Sequence, residues 1–162
     1  MKLLEKTAQL LFLLRSTSLS NHTILAFDPG GTTGLAVLHE GTVESDQLYG
    51  DSHHIEVERL IESYEPDFVV YETFNWRPHR SRKVELVSVE YIGVIKLVCE
   101  KLSIKCIAQA PASALSFWDD DKLKRLYLYT KGAPHANDAT RHLLQFVVKN
   151  LDDSWLYALK KD

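Results

Sequence analysis

The stretch Ile24 to Val37, reading Ile-Leu-Ala-Phe-Asp-Pro-Gly-Gly-Thr-Thr-Gly-Leu-Ala-Val, ends a short apolar run on a carboxylate and then breaks at Pro29, Gly30 and Gly31. A second apolar run opens at Leu35. Proline and paired glycines punctuate regular structure, so the segment predicts a strand, a tight turn and a second strand with Asp28 at the break. A carboxylate at the end of a buried run costs several kcal/mol to desolvate unless a cation or a set of donors meets it. Asp28 therefore either caps the turn, as Asp before Pro-Gly does, or faces a cation.

With 162 residues, 45% of them hydrophobic, the chain fits one globular domain with a real core. A formal net charge of -3 means that contact with nucleic acid must come from a local patch and not from the global field. Cys99 and Cys106 are the only cysteines and sit in apolar surroundings without a C-x-x-C spacing. They read as reduced core residues suited to a cytoplasm, not as a zinc site. No apolar run approaches the roughly 18 residues of a membrane span, so no membrane partner is expected. Residues 1–22 form an N-terminal extension, helical or disordered, with Lys2, Lys6 and Arg15 against the single acid Glu5. That acid-poor, Ser/Thr-containing start leaves organelle targeting open beside a purely structural appendage.

Beyond the Asp28 turn, Leu35 to Leu38 and Val43 to Leu48 flank His39-Glu40-Gly41, which predicts an antiparallel three-stranded meander. Ile55, Leu60 and Ile61 recur at helical spacing between Asp51 and Tyr64, and Pro66 closes that helix. Asp67 to Glu72 reads as a buried parallel strand, and its last residue is a carboxylate where open α/β sheets place their sites. The next segment gathers Phe74, Trp76, Arg77, His79, Arg80, Arg82 and Lys83 with no acid among them. Aromatics interleaved with arginines suit a surface that tracks a phosphate backbone and stacks on bases; the plain alternative is a solvated loop. Val87, Tyr91, Val94, Ile95 and Val98 predict a helix over Val84 to Leu102, with Gly93 allowing close approach of another element. A strand from Ile104 to Ala108, one or two helices between Ala112 and Tyr129, and a last helix from His135 to Lys149 complete a βββαβαβα order.

On that last helix His135 and Asp138 are three residues apart and share a face near the N-terminus, where the helix dipole favours an anion. In isolation Asp138 is an ordinary first-turn acid. If the first and fourth strands pair and the last helix packs over their ends, however, Asp28, Glu72 and Asp138 converge. Repulsion forbids such a cluster unless divalent cations fill it. Hard oxygen ligands select Mg²⁺ or Mn²⁺, and two such ions can activate water and stabilise the leaving oxygen of a phosphodiester.

Four pieces of this sequence stand in the order of one family: Phe-Asp28-Pro-Gly-Gly-Thr-Thr-Gly, Val-Val-Tyr-Glu72, Val-Glu-Tyr-Ile-Gly93 and His135-Ala-Asn-Asp138-Ala-Thr-Arg-His142. The chain resembles the RuvC-like Holliday junction resolvases of the RNase H-like (retroviral integrase) superfamily, most of all their bacteriophage members, from Thr23 to about Lys149. The resemblance implies an α/β nuclease domain over 23–162. Its mixed five-stranded sheet would have strands one to three antiparallel and strands four and five parallel, with helices on both faces. It further implies Asp28, Glu72, His135 and Asp138 as catalytic metal ligands for two Mg²⁺ ions, with Mn²⁺ as a substitute. His135 stands where the family carries Asp or His, as ligand or as base. The implied activity is incision of four-way or other branched DNA junctions by a homodimer in the cytoplasm, a host's if the chain is phage-encoded. Phe74, Trp76, Arg77, Arg80, Arg82 and Lys83 would hold the DNA. The Arg-rich segment and the N-terminal extension depart from cellular resolvases and bear on substrate preference. An RNase H-type or pre-rRNA-processing nuclease and a non-catalytic nucleic-acid binder are the alternatives on the same fold. A sugar-kinase or actin-like ATPase shares the Asp-Gly-Gly-Thr type of turn but needs a second such domain.

Overall fold

The computed structural model describes residues 22–50, 52–74 and 86–150. In chain order the elements are β1 (Ile24–Asp28), β2 (Thr33–His39), β3 (Thr42–Leu48), α1 (His54–Tyr64), β4 (Phe68–Glu72), α2 (Val87–Leu102), β5 (Lys105–Gln109), α3 (Pro111–Leu115), α4 (Asp120–Arg125) and α5 (Pro134–Asn150). One sheet holds all five strands in the order β3-β2-β1-β4-β5. Strand β2 runs antiparallel to both β1 and β3, whereas β4 lies parallel to both β1 and β5. This is the mixed sheet that the resemblance implies.

Alternation along β1 divides the core between the two faces of the sheet. Leu25 and Phe27 pack with Val57 and Ile61 of α1 and Tyr91, Ile95 and Val98 of α2. Ile24 and Ala26 face the other way, onto Leu143, Leu144 and Val147 of α5 and onto Trp118 and Leu123. Because both faces are covered, β1 and β4 are apolar throughout their middles, as parallel central strands are. The β2–β3 connection is a two-residue turn, and Glu40 and Gly41 both take positive φ, 49° and 73°. That conformation matches the twist of an antiparallel hairpin.

Pairing also fixes what stands at the edge of the sheet. Phe27 lies beside Tyr71, and Glu72 lies beside Gln109. The carboxyl ends of β1, β4 and β5 thus bring Asp28, Glu72 and Gln109 to the same edge.

Three local expectations are corrected. Ile55 is exposed, because Val57 and Ile61, one turn apart, form the buried face of α1 and turn Ile55 outward. No described element of the chain approaches Gly93: a Cβ there meets nothing within 4 Å, and the residue sits on the exposed side of α2. Cys106 is only partly buried on β5, while Cys99 is buried as expected and both are free thiols. The extension 1–21 and the Val84 start of the second helix lie outside the described residues.

The start of α5 packs closely on the sheet. A Cβ built on Gly34 of β2 would stand 1.9 Å from the carbonyl oxygen of His135, so the first turn of α5 crosses the strand at backbone distance. The preceding turn is pinned by Asn137, whose side chain accepts from Thr130 N and donates to Thr130 O, both at 2.9 Å. Gly34→Ala is expected to force α5 off the sheet and to cost at least the ~1–3 kcal/mol typical of overpacking. Urea denaturation should show it, and an unchanged midpoint would mean that α5 sits farther from β2 than described.

Candidate active site

The carboxyl edge of the sheet opens into a cleft of about 390 Å³ lined by Asp28, Pro29, Gly30, Glu72, Thr73, Phe74, Ser88, Pro111 and His135. Each acid at this edge has a cationic or imidazole partner, and all three partners come from α5. His135 Nδ1 lies 2.7 Å from Asp28 Oδ2. His142 Nε2 lies 2.8 Å from Glu72 Oε2, and its Nδ1 lies 3.0 Å from Gln109 Oε1. Arg141 donates from Nη1 to Asp138, from Nη2 to Asp120 of α4, and from Nε to the carbonyl of Trp118 at 2.8 Å.

The site's electrostatics centre on Asp28, whose side chain is only 14% exposed. Its pKa is raised from 3.8 to about 6. Burial is the largest cause; the hydrogen bond from His135 works against it, and the charges of Glu72 and Asp138 push it further up. Glu72 and Asp138 therefore both stand close enough for their charges to act on Asp28.

The loop carrying Pro29 to Thr32 is held from behind. Thr33 Oγ1 donates to Gly30 O at 3.0 Å and accepts from Gly30 N at 3.2 Å. With its hydrogen committed to Gly30, Thr33 also accepts from His53 Nε2 at 2.7 Å. His53 Nδ1 in turn accepts from Tyr91 OH at 3.1 Å. Burial lowers the pKa of His53, which keeps the ring in the neutral form this chain of bonds requires.

Gln47 fixes the helix entrance. Its Oε1 accepts from the backbone N–H of His135 at 2.9 Å and of Ala136 at 3.3 Å, serving two of the donors that a helix leaves open at its start. Its Nε2 donates to Tyr49 OH.

Of the residues anticipated from sequence, Asp28, Glu72, Phe74 and His135 meet in the cleft. Asp138 stands beside it, near enough for its charge to act on Asp28, with its carboxylate turned to Arg141. Trp76, Arg77, Arg80, Arg82 and Lys83 lie outside the described residues. Among the described residues, no three His, Cys, Asp or Glu side chains stand close enough together to enclose a metal ion. The donor chemistry nevertheless fits a hard divalent ion: carboxylates from three elements and one imidazole, with a buried acid destabilised by its like-charged neighbours. In each pair at this edge the hydrogen bond described engages one carboxylate oxygen.

Sequence reasoning missed Gln47, Gln109, Arg141, His142, Thr33 and His53. Arg141 and His142 follow Asp138 at i+3 and i+4 on one helix, a spacing that points to a shared face and was available. Gln47 and Gln109 carry no such signal, because each acts on residues far away in the chain.

No family model and no curated protein matches this chain. Solved structures do. The structure titled "Thermus thermophilus RuvC structure" covers 77% of this chain and 93% of that one at 15% identity, with a TM-score of 0.57. The T. thermophilus RuvC in complex with Holliday junction substrate covers 78% and 92% at 16% identity, with a TM-score of 0.60. The fold is RuvC-like. The five-stranded sheet, with its antiparallel half and its parallel half, is therefore an RNase H-like sheet carrying Asp28 and Glu72 at neighbouring strand ends.

The raised pKa of Asp28 makes stability depend on pH. In the folded chain Asp28 keeps its proton up to about pH 6, but when unfolded only to its ordinary 3.8. Between these values the folded state binds more protons, so this group's contribution to stability is full below the lower value and is lost as pH rises through the higher one. Asp28→Asn removes that loss. In chelator, the variant should match the parent below about pH 4 and exceed it by on the order of 2 kcal/mol above pH 7. A difference independent of pH, measured by denaturant unfolding, would show that Asp28 titrates normally.

Proposed function

We propose that this chain is a divalent-cation-dependent endonuclease that hydrolyses phosphodiester bonds at four-way or other branched DNA junctions. One observation carries the reading: Asp28 and Glu72 end adjacent strands of a RuvC-like sheet and line one cleft, and Asp138 of α5 is near enough for its charge to act on Asp28. A protein of this fold has been solved with a Holliday junction substrate. In this reading Asp28, Glu72, Asp138 and His135 hold Mg²⁺ or Mn²⁺.

Bound divalent ions would supply an activated water and neutralise charge on the scissile phosphate. The chain's own residues do the rest. His135 Nδ1 is engaged by Asp28, which fixes the ring and turns Nε2 away from it, to ligate an ion or to accept the water's proton as a neutral imidazole. Phe74 lines the cleft and offers a face for an unpaired base. Trp76, Arg77, Arg80, Arg82 and Lys83 follow it in sequence; the tryptophan would add a second stacking face and the four cations would bind phosphates. Pro29 and Gly30, held through Thr33, line the same cleft.

One experiment compares a four-way junction, a flap, a plain duplex and an RNA–DNA hybrid as substrates, with Mg²⁺ and with chelator. The junction should be cut fastest, and only with the ion. Asp28→Asn, Glu72→Gln and Asp138→Asn should each abolish cutting while leaving junction binding largely intact. His135→Ala should lower the rate by on the order of 10²-fold, as expected for losing a general base. Preferential cutting of the hybrid would make the chain an RNase H-type enzyme. Binding without cutting of any substrate would make it a non-catalytic binder.

Paired incisions across a four-way junction need two sites related by a two-fold axis, so the active form in this reading is a homodimer. Helix α2 offers the surface. Leu86 just before it, then Val89 and Leu97, are 51%, 44% and 59% exposed, and the open Gly93 lies between the last two on the same side. Val89→Glu with Leu97→Glu should convert the dimer to a monomer at micromolar concentration in sedimentation, leaving the fold intact. A wild-type protein that is monomeric both with and without junction DNA would remove the dimer and weaken the resolvase reading with it.

A further inference from the structure

Glu72 is the acid whose support is most deeply buried. His142, which meets it, is 1% exposed and lies in the middle of α5, bridging the ends of β4 and β5. An ionised carboxylate oxygen can only accept, so the hydrogen between His142 and Glu72 belongs to Nε2 of the ring. At the other nitrogen stands the carboxamide of Gln109, which can present either its oxygen or its NH₂ group. Gln109 therefore satisfies Nδ1 whether the ring is neutral or charged. The donation to Glu72 does not depend on the protonation state of His142.

We propose that His142 is a positioning residue for Glu72: anchored by Gln109, its buried imidazole holds Oε2 and leaves Oε1 to face a divalent ion in the cleft. The proposal rests on the divalent-ion reading of the site. Glu72 is well placed to need such help. It ends its strand, it lines the cleft, and without a partner it would be free to swing away from Asp28, whose charge repels it. An ion between these acids requires Glu72 to be held against that repulsion before the ion arrives. His142 is too deeply buried to be reached by a substrate, so it acts through Glu72 and not on DNA.

The alternative is that His142 is a core residue whose polar atoms merely find partners. The two roles separate in metal affinity. His142→Leu fills the core but cannot donate, His142→Gln keeps a donor near the position of Nε2, and Gln109→Leu removes only the anchor. Calorimetric titration of the metal-free protein with Mn²⁺ reads affinity directly, and a thermal melt in chelator reads folding. His142→Leu should bind Mn²⁺ about 10–100-fold more weakly, the usual scale for losing a residue that supports a ligand. His142→Gln should recover most of that loss, and Gln109→Leu should show a smaller loss in the same direction. Where His142→Leu does not fold, Gln109→Leu against wild type decides. Wild-type affinity in both leucine variants would overturn the proposal and leave the divalent-ion reading standing. A wild-type protein that takes up no Mn²⁺ would overturn that reading and the proposal together, whatever the variants do.

Discussion

Repulsion between carboxylates is the constraint on which this structure turns. The ends of β1 and β4 lie side by side because those strands pair in parallel, so Asp28 and Glu72 are adjacent by construction. α5 then adds Asp138. Burying an acid beside like charges is unfavourable, and the rise of Asp28 to about 6 reflects both its burial, the larger cause, and the charges of Glu72 and Asp138. The fold offsets the repulsion with a single helix: His135, Arg141 and His142 of α5 each take one of the acids. A helix with so many polar groups would not normally be buried. Asn137, Thr140, Arg141, His142 and Gln145 are nonetheless all buried there, and hydrogen bonds account for the first four.

For α5 to serve the acids it must start at one place. The close crossing at Gly34 sets its distance from the sheet, and Gln47 on β3 sets where its first turn begins. Arg141 ties the same helix to α4 and to Trp118, so that the segment between β5 and α5 is anchored to the acid cluster as well as to the core. The helix is thus clamped at its N-terminus by the antiparallel half of the sheet and along its side by α3 and α4. Breaking a buried charge pair of this kind costs far more than the pair contributes, because an uncompensated charge is left behind.

The turn that carries Pro29 and Gly30 into the cleft depends on the other layer of helices. Gly30 is bonded to Thr33, Thr33 to His53, and His53 to Tyr91 of α2, with the His53 and Tyr91 rings stacked at 4.1 Å. The turn after Asp28 contains Pro29, Gly30 and Gly31, residues that would leave it loosely specified if nothing held it. Its rigidity comes from hydrogen bonds made by residues in α2 and just before α1, so both layers of helices act on the same edge of the sheet. Placing a site on such supported strand ends gives it the fixed geometry that binding and chemistry require.

Most of the fold was legible in the chain itself. Punctuation by Pro29, Gly30 and Gly41, alternation in the first strands, and the apolar run of β4 marked the strands and the antiparallel meander, because each is a local consequence of backbone sterics and burial, whereas the order of the whole sheet was expected only through the family resemblance. The placing of Asp28, Glu72 and His135 around one cleft was legible for the same reason: they sit at element ends, where sequence marks the boundary. The approach of Asp138 to Asp28 was expected too, but its attachment to Arg141 was not, since the rotamer it adopts depends on Asp120 and Trp118 holding Arg141 in place. Ile55 and Gly93 show the limit of periodicity: spacing identifies a helix but does not say which of two apolar faces another element will cover. The spacing of His142 from Asp138 puts both on one face of a helix, but its partners, like those of Gln47 and Gln109, were decided by tertiary structure alone. Their roles come from partners that are far apart in sequence, and local propensity carries no record of a contact that exists only once the strands are paired and α5 has been laid across them.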